Sequence, residues 1–267
     1  MGADIKKLKN RMKSVDSTMH LTKAMGLVAS SKIRKANDAS VKSKQYASSF
    51  QKIIKELSMS VECSKSPFMQ QRQGNRMRLI VISGDRGLAG GYNANIFRFI
   101  KQYEDAEIIP VGKRACDKFT GKLIPAEKCD FSEIQQLSEA LCRDFIEKKY
   151  DKLGIVSTEY ISMMQQEPRI DWLLPVKKAH ENQSHSMLFE PDEITVFNSA
   201  INDYVAGMIM ARIKESFASE VAARRMAMDS AQKNAQSMMN SLKLSYNRAR
   251  QSAITQEITE IVAGSGN

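Results

Sequence analysis

The sequence has a very long segment at each end in which proline is absent and apolar or small residues recur every three or four positions. From Ala3 to Ser66 there is no proline and a single glycine, Gly26. The spacing persists from Ile5 to Val61 and predicts one long helix with a continuous seam. At about 1.5 Å per residue such a helix extends roughly 80–90 Å, more than a globular domain of this size can enclose.

The C-terminal end shows the same pattern. After Pro191 there is no further proline, and Gly207 is the only glycine before Gly264. The predicted seam consists of Ala231, Ala235, Met238, Leu242, Ser245 and Ala249, with Phe197, Ile201, Tyr204 and Met208 upstream. The register slips between Met208 and Ala231, which predicts a kink or stutter. We expect the two helices to pair as an antiparallel coiled coil; the alternative is that each belongs to an ordinary helical bundle.

Between the helices, strand-like and helix-like segments alternate. Strands are predicted at 79–83, 107–111, 152–157 and 170–176, and helices at 95–103, 113–119 and 132–149. This alternation predicts a small Rossmann-like α/β domain with a parallel or mixed sheet. The expected fold class is α+β, mainly α. The predicted domains are 1–66, 67–190 and 191–267, with solvated connections at 64–75 and 180–186.

Positive charge is concentrated in the first helix. The whole chain carries a formal charge of +10, and residues 1–60 hold 13 Lys and Arg against 4 Asp and Glu. This asymmetry indicates an acidic partner. No presequence precedes the helical pattern and no stretch approaches about 20 apolar residues, so we expect a soluble chain without direct membrane insertion.

No motif for catalysis, cofactor binding or metal binding is found. The loop Ser83–Asn93 follows a strand and precedes a helix, but it lacks both the GxGxxG and the GK[ST] fingerprints. Its Asp85 and Arg86 suit surface pairing or a partner contact. The three histidines (His20, His180 and His185) form no triad pattern, and the four cysteines (Cys63, Cys116, Cys129 and Cys142) form no CxxC.

Both long helices carry apolar residues outside their seams. Leu21, Met25, Leu27 and Val28 make one stretch of the first helix apolar on almost every side. The end of the last helix behaves alike, with Ile254, Ile258, Ile261, Val262 and Ala263. A helix of this kind is enclosed by other protein or lies in a membrane. We favour a sleeve formed by a partner; the alternative is a local bundle contact.

At four motifs, in the same order, the chain resembles the gamma subunit of F-type ATP synthases. Thr22–Met25 with Val28–Lys32 resembles the family's N-terminal helix motif, and Ser83–Asn93 is similar to its SDRGLCGGFN loop. Ala218–Asp229 resembles the SEHAARMxAMxxA stretch, and Ile254–Gly264 is close to the C-terminal signature. The resemblance covers essentially the whole chain.

The resemblance implies a central-stalk rotor whose terminal helices turn inside a ring of three alpha and three beta subunits. It implies that ATP chemistry occurs on beta and that this chain has no catalytic, cofactor or metal residues. The implied contacts with the alpha–beta hexamer are Lys23, Met25, Arg250, Gln251, Thr255, Glu257, Ile258 and Ile261. The α/β domain would carry the epsilon subunit and sit on the membrane c-ring, with Asp85 and Arg86 as contacts to stalk or ring.

Two other functions compete with this interpretation. A basic coiled coil could bind nucleic acid, although the neutral remainder and the few aromatic residues disfavour it. A small-molecule α/β enzyme would need a catalytic group that the sequence does not show. With no presequence, the rotor interpretation predicts the cytoplasmic face of a bacterial plasma membrane.

Overall fold

The structure, a computed structural model, describes residues 2–121, 123–179 and 188–264, which are mostly helical. Helix α1 (Gly2–Leu57) opens the described chain and helix α5 (Glu193–Gly264) closes it. Between them lie, in order, β1 (Met77–Ile82), α2 (Tyr92–Ile100), β2 (Glu107–Val111), α3 (Lys113–Phe119), α4 (Phe131–Ile146), β3 (Lys152–Tyr160) and β4 (Gln166–Leu174). The mainly helical α+β class predicted from the sequence is confirmed.

The chain divides into two compact units. One, here called the helical unit, combines the residues up to Ser30 with those from Arg224 onward. The other, the sheet unit, is Ser31–Ala223. Both long helices contribute to both units, so the predicted boundaries 1–66, 67–190 and 191–267 remain a proposal.

In the helical unit, α1 and α5 pack antiparallel along a narrow apolar seam. Four buried residues of the seam form one apolar cluster: Val15, Ala235, Met239 and Leu242. Farther along α1, a Cβ added at Gly26 would lie 3.5 Å from the Cβ of Met228. Residues later in α1 therefore contact residues earlier in α5, so the two helices run antiparallel, as predicted from the sequence. Gly26 permits this close approach, since the same Cβ would meet the Arg225 guanidinium at 2.9 Å.

One seam position differs from the prediction. Met238 was expected in the seam, but its side chain is 46% exposed, whereas the adjacent Met239 is 6% exposed. The structure steps from Ala235 to Met239 to Leu242, a 4-3 spacing, where the prediction used 3-4. Both spacings suit a heptad, so periodicity cannot choose between two neighbouring methionines.

The sheet unit contains a mixed sheet with the strand order β2-β1-β3-β4. β1 pairs in parallel with both β2 and β3, and β4 pairs antiparallel with β3. The central strand β1 is buried on both faces from Leu79 to Ile82, as a strand covered by helices must be. The predicted small α/β sheet is therefore confirmed.

Helix α5 is covered on several sides where it passes through the sheet unit. From Tyr204 to Ala222 its residues are buried or half-buried. This explains why the sequence loses its seam register after Met208, because a helix enclosed on several sides needs no single apolar stripe. α5 continues as one helix from Glu193 to Gly264.

Helix α1 ends earlier than the sequence predicts. It stops at Leu57 instead of continuing to Ser66, and Val61, expected in the seam, is 72% exposed. At the end, the Ser58 hydroxyl donates to the Lys55 carbonyl at 2.7 Å, so a side chain competes with the helical ladder.

The following connection was expected to be solvated, but its first part is packed. Ser66 is buried and donates from its hydroxyl to Asn198 Oδ1 at 2.6 Å, and Phe68 stacks on Phe145. The other predicted connection, 180–186, lies outside the described residues.

The two neighbouring methionines test the seam register. We expect Met239→Ala to lower the free energy of unfolding by about 2–3 kcal/mol, because it removes buried methylene groups. Met238→Ala should change it by less than about 0.5 kcal/mol, since that side chain is largely in water. Denaturant unfolding of the full chain measures both, and equal losses would contradict the register.

A second prediction concerns acid stability. The Arg76 guanidinium hydrogen-bonds to the Asp151 carboxylate at 3.0 and 3.1 Å and holds the pKa of Asp151 below its usual range. Because the folded-state pKa lies below the unfolded one, this contact stabilises the fold near neutral pH, and its contribution is lost as the pH falls through the folded value.

We therefore expect Asp151→Asn to lower the free energy of unfolding at about pH 7. The difference in free energy of unfolding between this variant and the parent chain should become smaller at about pH 3. Asp117→Asn serves as the control, because that carboxylate is exposed and 3.8 Å from its Arg114 partner. A difference in free energy of unfolding that does not change with pH would contradict the stabilising role of the Arg76–Asp151 contact.

Candidate partner-binding surfaces

The first candidate surface is an apolar zone on α1 within the helical unit. Leu21, Leu27 and Val28 are 59%, 61% and 57% exposed, although the seam residues beside them, Thr22 and Gly26, are buried. The helix therefore has a buried apolar stripe and a second apolar side facing water. Exposed apolar side chains grouped in this way mark interaction sites.

The second surface is the C-terminal tip of α5. Every residue from Ile254 to Gly264 is exposed, and Ile258, Ile261 and Val262 are 56%, 65% and 65% exposed. Extending the antiparallel register places Gly2, where α1 begins, opposite about residue 252. Among the residues that the structure describes, α1 does not accompany α5 beyond that point.

The contact residues predicted from the sequence lie at or between these surfaces. Lys23, Arg250, Gln251, Thr255, Glu257, Ile258 and Ile261 are exposed, and Met25 is half-buried. All eight belong to the helical unit. The Thr255 hydroxyl donates to the Gln251 backbone carbonyl one turn earlier, as hydroxyls on exposed helix faces often do. The predicted set is thus gathered in one unit and remains a prediction as a set of contacts.

The exposed face of α1 in the helical unit is basic. Its exposed cations are Lys6, Lys7, Lys9, Arg11, Lys13 and Lys23. Two carboxylates, Asp4 and Asp16, lie on the same stretch. The surface therefore pairs apolar zones with an excess of positive charge, a combination that suits a partner with acidic loops around an apolar opening.

In the sheet unit, the Gly-rich loop after β1 is held by Asp85. Its carboxylate accepts hydrogen bonds from the backbone N–H groups of Lys113, Ala126 and Glu127 at 3.1, 3.2 and 2.9 Å. Asp85 was predicted from the sequence as a surface or partner contact. Its three internal hydrogen bonds give it a structural role that a local sequence pattern could not show, and its part in a partner contact stays a prediction.

Two glycines of this loop have local reasons. A Cβ added at Gly84 would lie 2.7 Å from the Glu220 carboxyl carbon on α5, so a larger residue would require the Glu220 side chain to shift. Gly90 adopts a φ of 58°, which favours glycine, and Gly84 N–H donates to Asn93 Oδ1 at 3.0 Å. The loop thus serves as a tight connection between β1 and α2.

Arg86 is the exposed member of the same loop. It is 69% exposed and lies 3.6 Å from the Glu127 carboxylate, and Leu88 nearby is 64% exposed. Glu127 also accepts a hydrogen bond from Lys32 of α1, which lowers the pKa of that carboxyl. Arg86 therefore stays accessible to a partner at the surface of the sheet unit.

The remaining reactive side chains form no site in the described parts of the chain. His20 is exposed beside Asp16, while His180 and His185 lie outside the described residues. Burial raises the pKa of the Cys63 and Cys129 thiols to about 11 and that of Cys142 to about 12. Among residues 2–121, 123–179 and 188–264 there is no metal-ligand cluster and no helix able to cross a membrane.

Comparison with known proteins places the chain in a family. A family model described as ATP synthase matches residues 4–266. The ATP synthase gamma chain of Ruminococcus albus is 40% identical, over 99% of each chain. That of Clostridium perfringens is 36% identical, over 98% of each chain. The chain belongs to the ATP synthase gamma chain family. It is thus a subunit of an ATP synthase complex.

Solved structures share the gamma-chain fold at low sequence identity. A chain of the Euglena gracilis mitochondrial ATP synthase, solved as OSCP, F1 and c-ring, matches with a TM-score of 0.71 at 18% identity. It covers 99% of this chain and 94% of its own length. A chain from the central stalk and c-ring of the Tetrahymena thermophila enzyme gives 0.61 at 20% identity, over 79% and 99%.

Two adjacent residues of the Gly-rich loop test the role assigned to Asp85. We expect Asp85→Asn to lower the free energy of unfolding by about 2 kcal/mol, because the amide replaces a charged acceptor of three N–H groups. Arg86→Ala should change it by no more than about 0.5 kcal/mol, since that side chain is mostly in water. Thermal or denaturant unfolding compares them, and a neutral Asp85→Asn would return Asp85 to the surface contacts.

Proposed function

We propose that this gamma chain is the central-stalk rotor of an F-type ATP synthase, which couples ion-driven rotation of a membrane ring to conformational change at the catalytic beta subunits. The observation that carries the proposal is the lone apolar tip of α5. Fully burying an Ile or Val side chain is worth about 1.5–3 kcal/mol, and the tip leaves Ile254, Ile258, Ile261 and Val262 in water. A sleeve formed by the alpha–beta hexamer would recover that free energy.

The hexamer contacts follow from the same surfaces. The tip, with Ile258 and Ile261, would lie in the apolar opening of the ring. The polar side chains just before or within it, Arg250, Gln251, Thr255 and Glu257, would pair with the hexamer, as would Lys23 and Met25 on α1. The basic face of α1 would meet acidic loops of the beta subunits.

The sheet unit would face the other partners. We assign the epsilon subunit and the membrane c-ring to it, with Arg86 as a contact to stalk or ring. The relatives in Euglena gracilis and Tetrahymena thermophila come from assemblies that include a c-ring, which supports this assignment. Asp85, half-buried beside Arg86, is the second proposed contact and also holds the loop that presents Arg86.

The mechanism is differential contact. The helical unit has no rotational symmetry about its length, because α1 and α5 differ in sequence and α1 alone carries the exposed apolar zone at Leu21–Val28 beside a basic face. A turn inside the ring therefore presents a different surface to each beta subunit in succession. A partner with two conformations shifts toward the one that makes the better contact, which changes its affinity for nucleotide. In this scheme the gamma chain performs no chemistry and binds no cofactor.

The proposed location is the cytoplasmic face of a bacterial plasma membrane, where the chain is peripheral and held by its partners. The sequence relatives above come from two bacteria. The nucleic-acid alternative has no comparable support, because an apolar tip gains nothing from a phosphate backbone and the relatives are ATP synthase subunits.

The tip provides a direct test. We expect the double change Ile258→Ser with Ile261→Ser to leave the unfolding of the isolated chain nearly unchanged, because both side chains are already in water. Assembly with alpha and beta subunits should weaken at least about tenfold, since two buried aliphatic side chains contribute well over 1.4 kcal/mol. Titration of the chain into alpha and beta, followed by ATPase activity, measures this.

Val41→Ser is the matched control. Val41 is an aliphatic residue on α1 with 54% exposure, and it belongs to the sheet unit. It should assemble like the parent chain. The proposal is contradicted if the tip variant assembles normally, or if the isolated parent chain itself hydrolyses ATP.

A further inference from the structure

Inside the sheet unit, α1, α5 and the sheet meet at a buried carboxylate, Glu215. Its side chain is 1% exposed. Lys44 of α1 lies 2.6 Å from Oε1, and Arg212, one turn earlier on α5, lies 2.6 Å from Oε2. The backbone N–H of Tyr160, at the end of β3, donates to Oε1 at 3.4 Å. Three separate elements therefore converge on one side chain.

The charges continue outward along the sheet. Arg212 Nε lies 2.7 Å from Asp171 Oδ2 on β4, an ion pair whose geometry is not that of a hydrogen bond. Asp171 in turn pairs with Arg169 at 2.6 Å, and Arg169 with Glu159 at 2.8 Å. The chain of ion pairs thus runs from α1 through α5 to the two strands of the β3–β4 hairpin.

Stability alone does not explain such a cluster. Replacing buried ion pairs with apolar side chains of similar size is often neutral or stabilising, because the charges lose their hydration. Hydrogen-bonded ion pairs restrain the relative orientation of the groups they join, since a hydrogen bond weakens steeply when its distance or angle changes. A buried charge network therefore suits a place where orientation matters.

The neighbouring helix contact offers little resistance of its own. On either side of Lys44 the α1 seam has small residues, Ala36, Ser40 and Ala47, and on α5 Gly207 lies against Tyr46 and Ala47; the large buried residues Ile54 and Leu57 come only at the end of α1. Small side chains let the helices approach closely but give few knobs to stop one helix turning against the other. The ion pairs lie beside this smooth stretch.

We propose that the Lys44–Glu215–Arg212–Asp171 network, here called the joint, stops α5 from turning about its own axis. Torque passes between the sheet and the helix pair through this joint. The geometry gives the scale. With side chains about 5–6 Å from the helix axis, a turn of about 20° moves Glu215 by about 2 Å, which separates it from Lys44 beyond hydrogen-bond distance. The inference rests on the proposed rotor function.

Other polar contacts hold the same face of α5. The Ser216 hydroxyl accepts the Thr158 N–H at 3.1 Å, and the Ser219 hydroxyl donates to the Thr158 carbonyl at 3.2 Å. Tyr92 of α2 donates to the Ser216 carbonyl at 2.9 Å. These contacts fix α5 against β3, whereas the ion pair of Lys44 with Glu215 connects α1 to α5.

The test is rotational stiffness in the assembled complex. The hexamer is immobilised, a probe is attached to the sheet unit, and its angular fluctuation is recorded while the motor pauses. We expect Lys44→Met to raise the angular variance by up to about twofold, because it removes one of the two ion-pair links between α5 and its neighbours, Lys44–Glu215 to α1 and Arg212–Asp171 to β4. Glu215→Gln, which removes the shared charge, should raise it at least as much.

Two further variants separate a joint from general destabilisation. Lys44→Arg keeps the ion pair and should restore the parent variance. Lys149→Met removes a lysine of similar exposure whose 2.7 Å ion pair, with Asp144 of α4, lies outside the network, and it should leave the variance unchanged. Thermal unfolding of each full chain confirms that the variants are folded.

The outcomes separate the two proposals. If Lys44→Met and Glu215→Gln match Lys149→Met in an otherwise working complex, the joint is wrong while the rotor function stands. If the angular variance of Lys44→Arg equals that of Lys44→Met, the ion pair is not the restraint and the inference is overturned. If the parent chain forms no complex whose probe turns with ATP, the rotor function falls and the joint falls with it.

Discussion

The close approach of α1 and α5 is the constraint on which the structure depends. Small residues at Gly26, Ala36 and Ala47 on one helix and Gly207 on the other let the backbones come near enough to share one narrow seam. A narrow seam leaves most of each helix surface free. The helical unit uses that freedom for apolar and basic contact surfaces, and the sheet unit uses it to pack α5 against β3 and α2.

Much of the fold could be predicted because it depends on local periodicity. The antiparallel helices, the mixed sheet and the exposed apolar residues at Leu21 and Ile258 all follow from spacing and composition. The errors lie where spacing is ambiguous: Met238 and Met239 fit a heptad equally well, and the 3-4 spacing continues past the end of α1 at Leu57 to Val61.

Long-range polar contacts could not be predicted. Lys44 and Glu215 are 171 positions apart, and nothing in the sequence around either residue identifies the other. Asp85 shows the same limit in a short loop, because its three backbone donors come from later segments of the chain. Charged residues therefore indicate a surface when read locally, and only the folded chain distinguishes a surface charge from an internal anchor.

The single-helix tip of α5 has a thermodynamic consequence of its own. A helical segment of about a dozen residues whose side chains are exposed is marginal in water, because nucleation is unfavourable and little apolar surface is buried. Its stability then follows mass action, since whatever binds the helical state stabilises it by an amount that rises with the logarithm of binder concentration. The helical state of the exposed tip from Ile254 to Gly264 would therefore gain stability from any partner that encloses it.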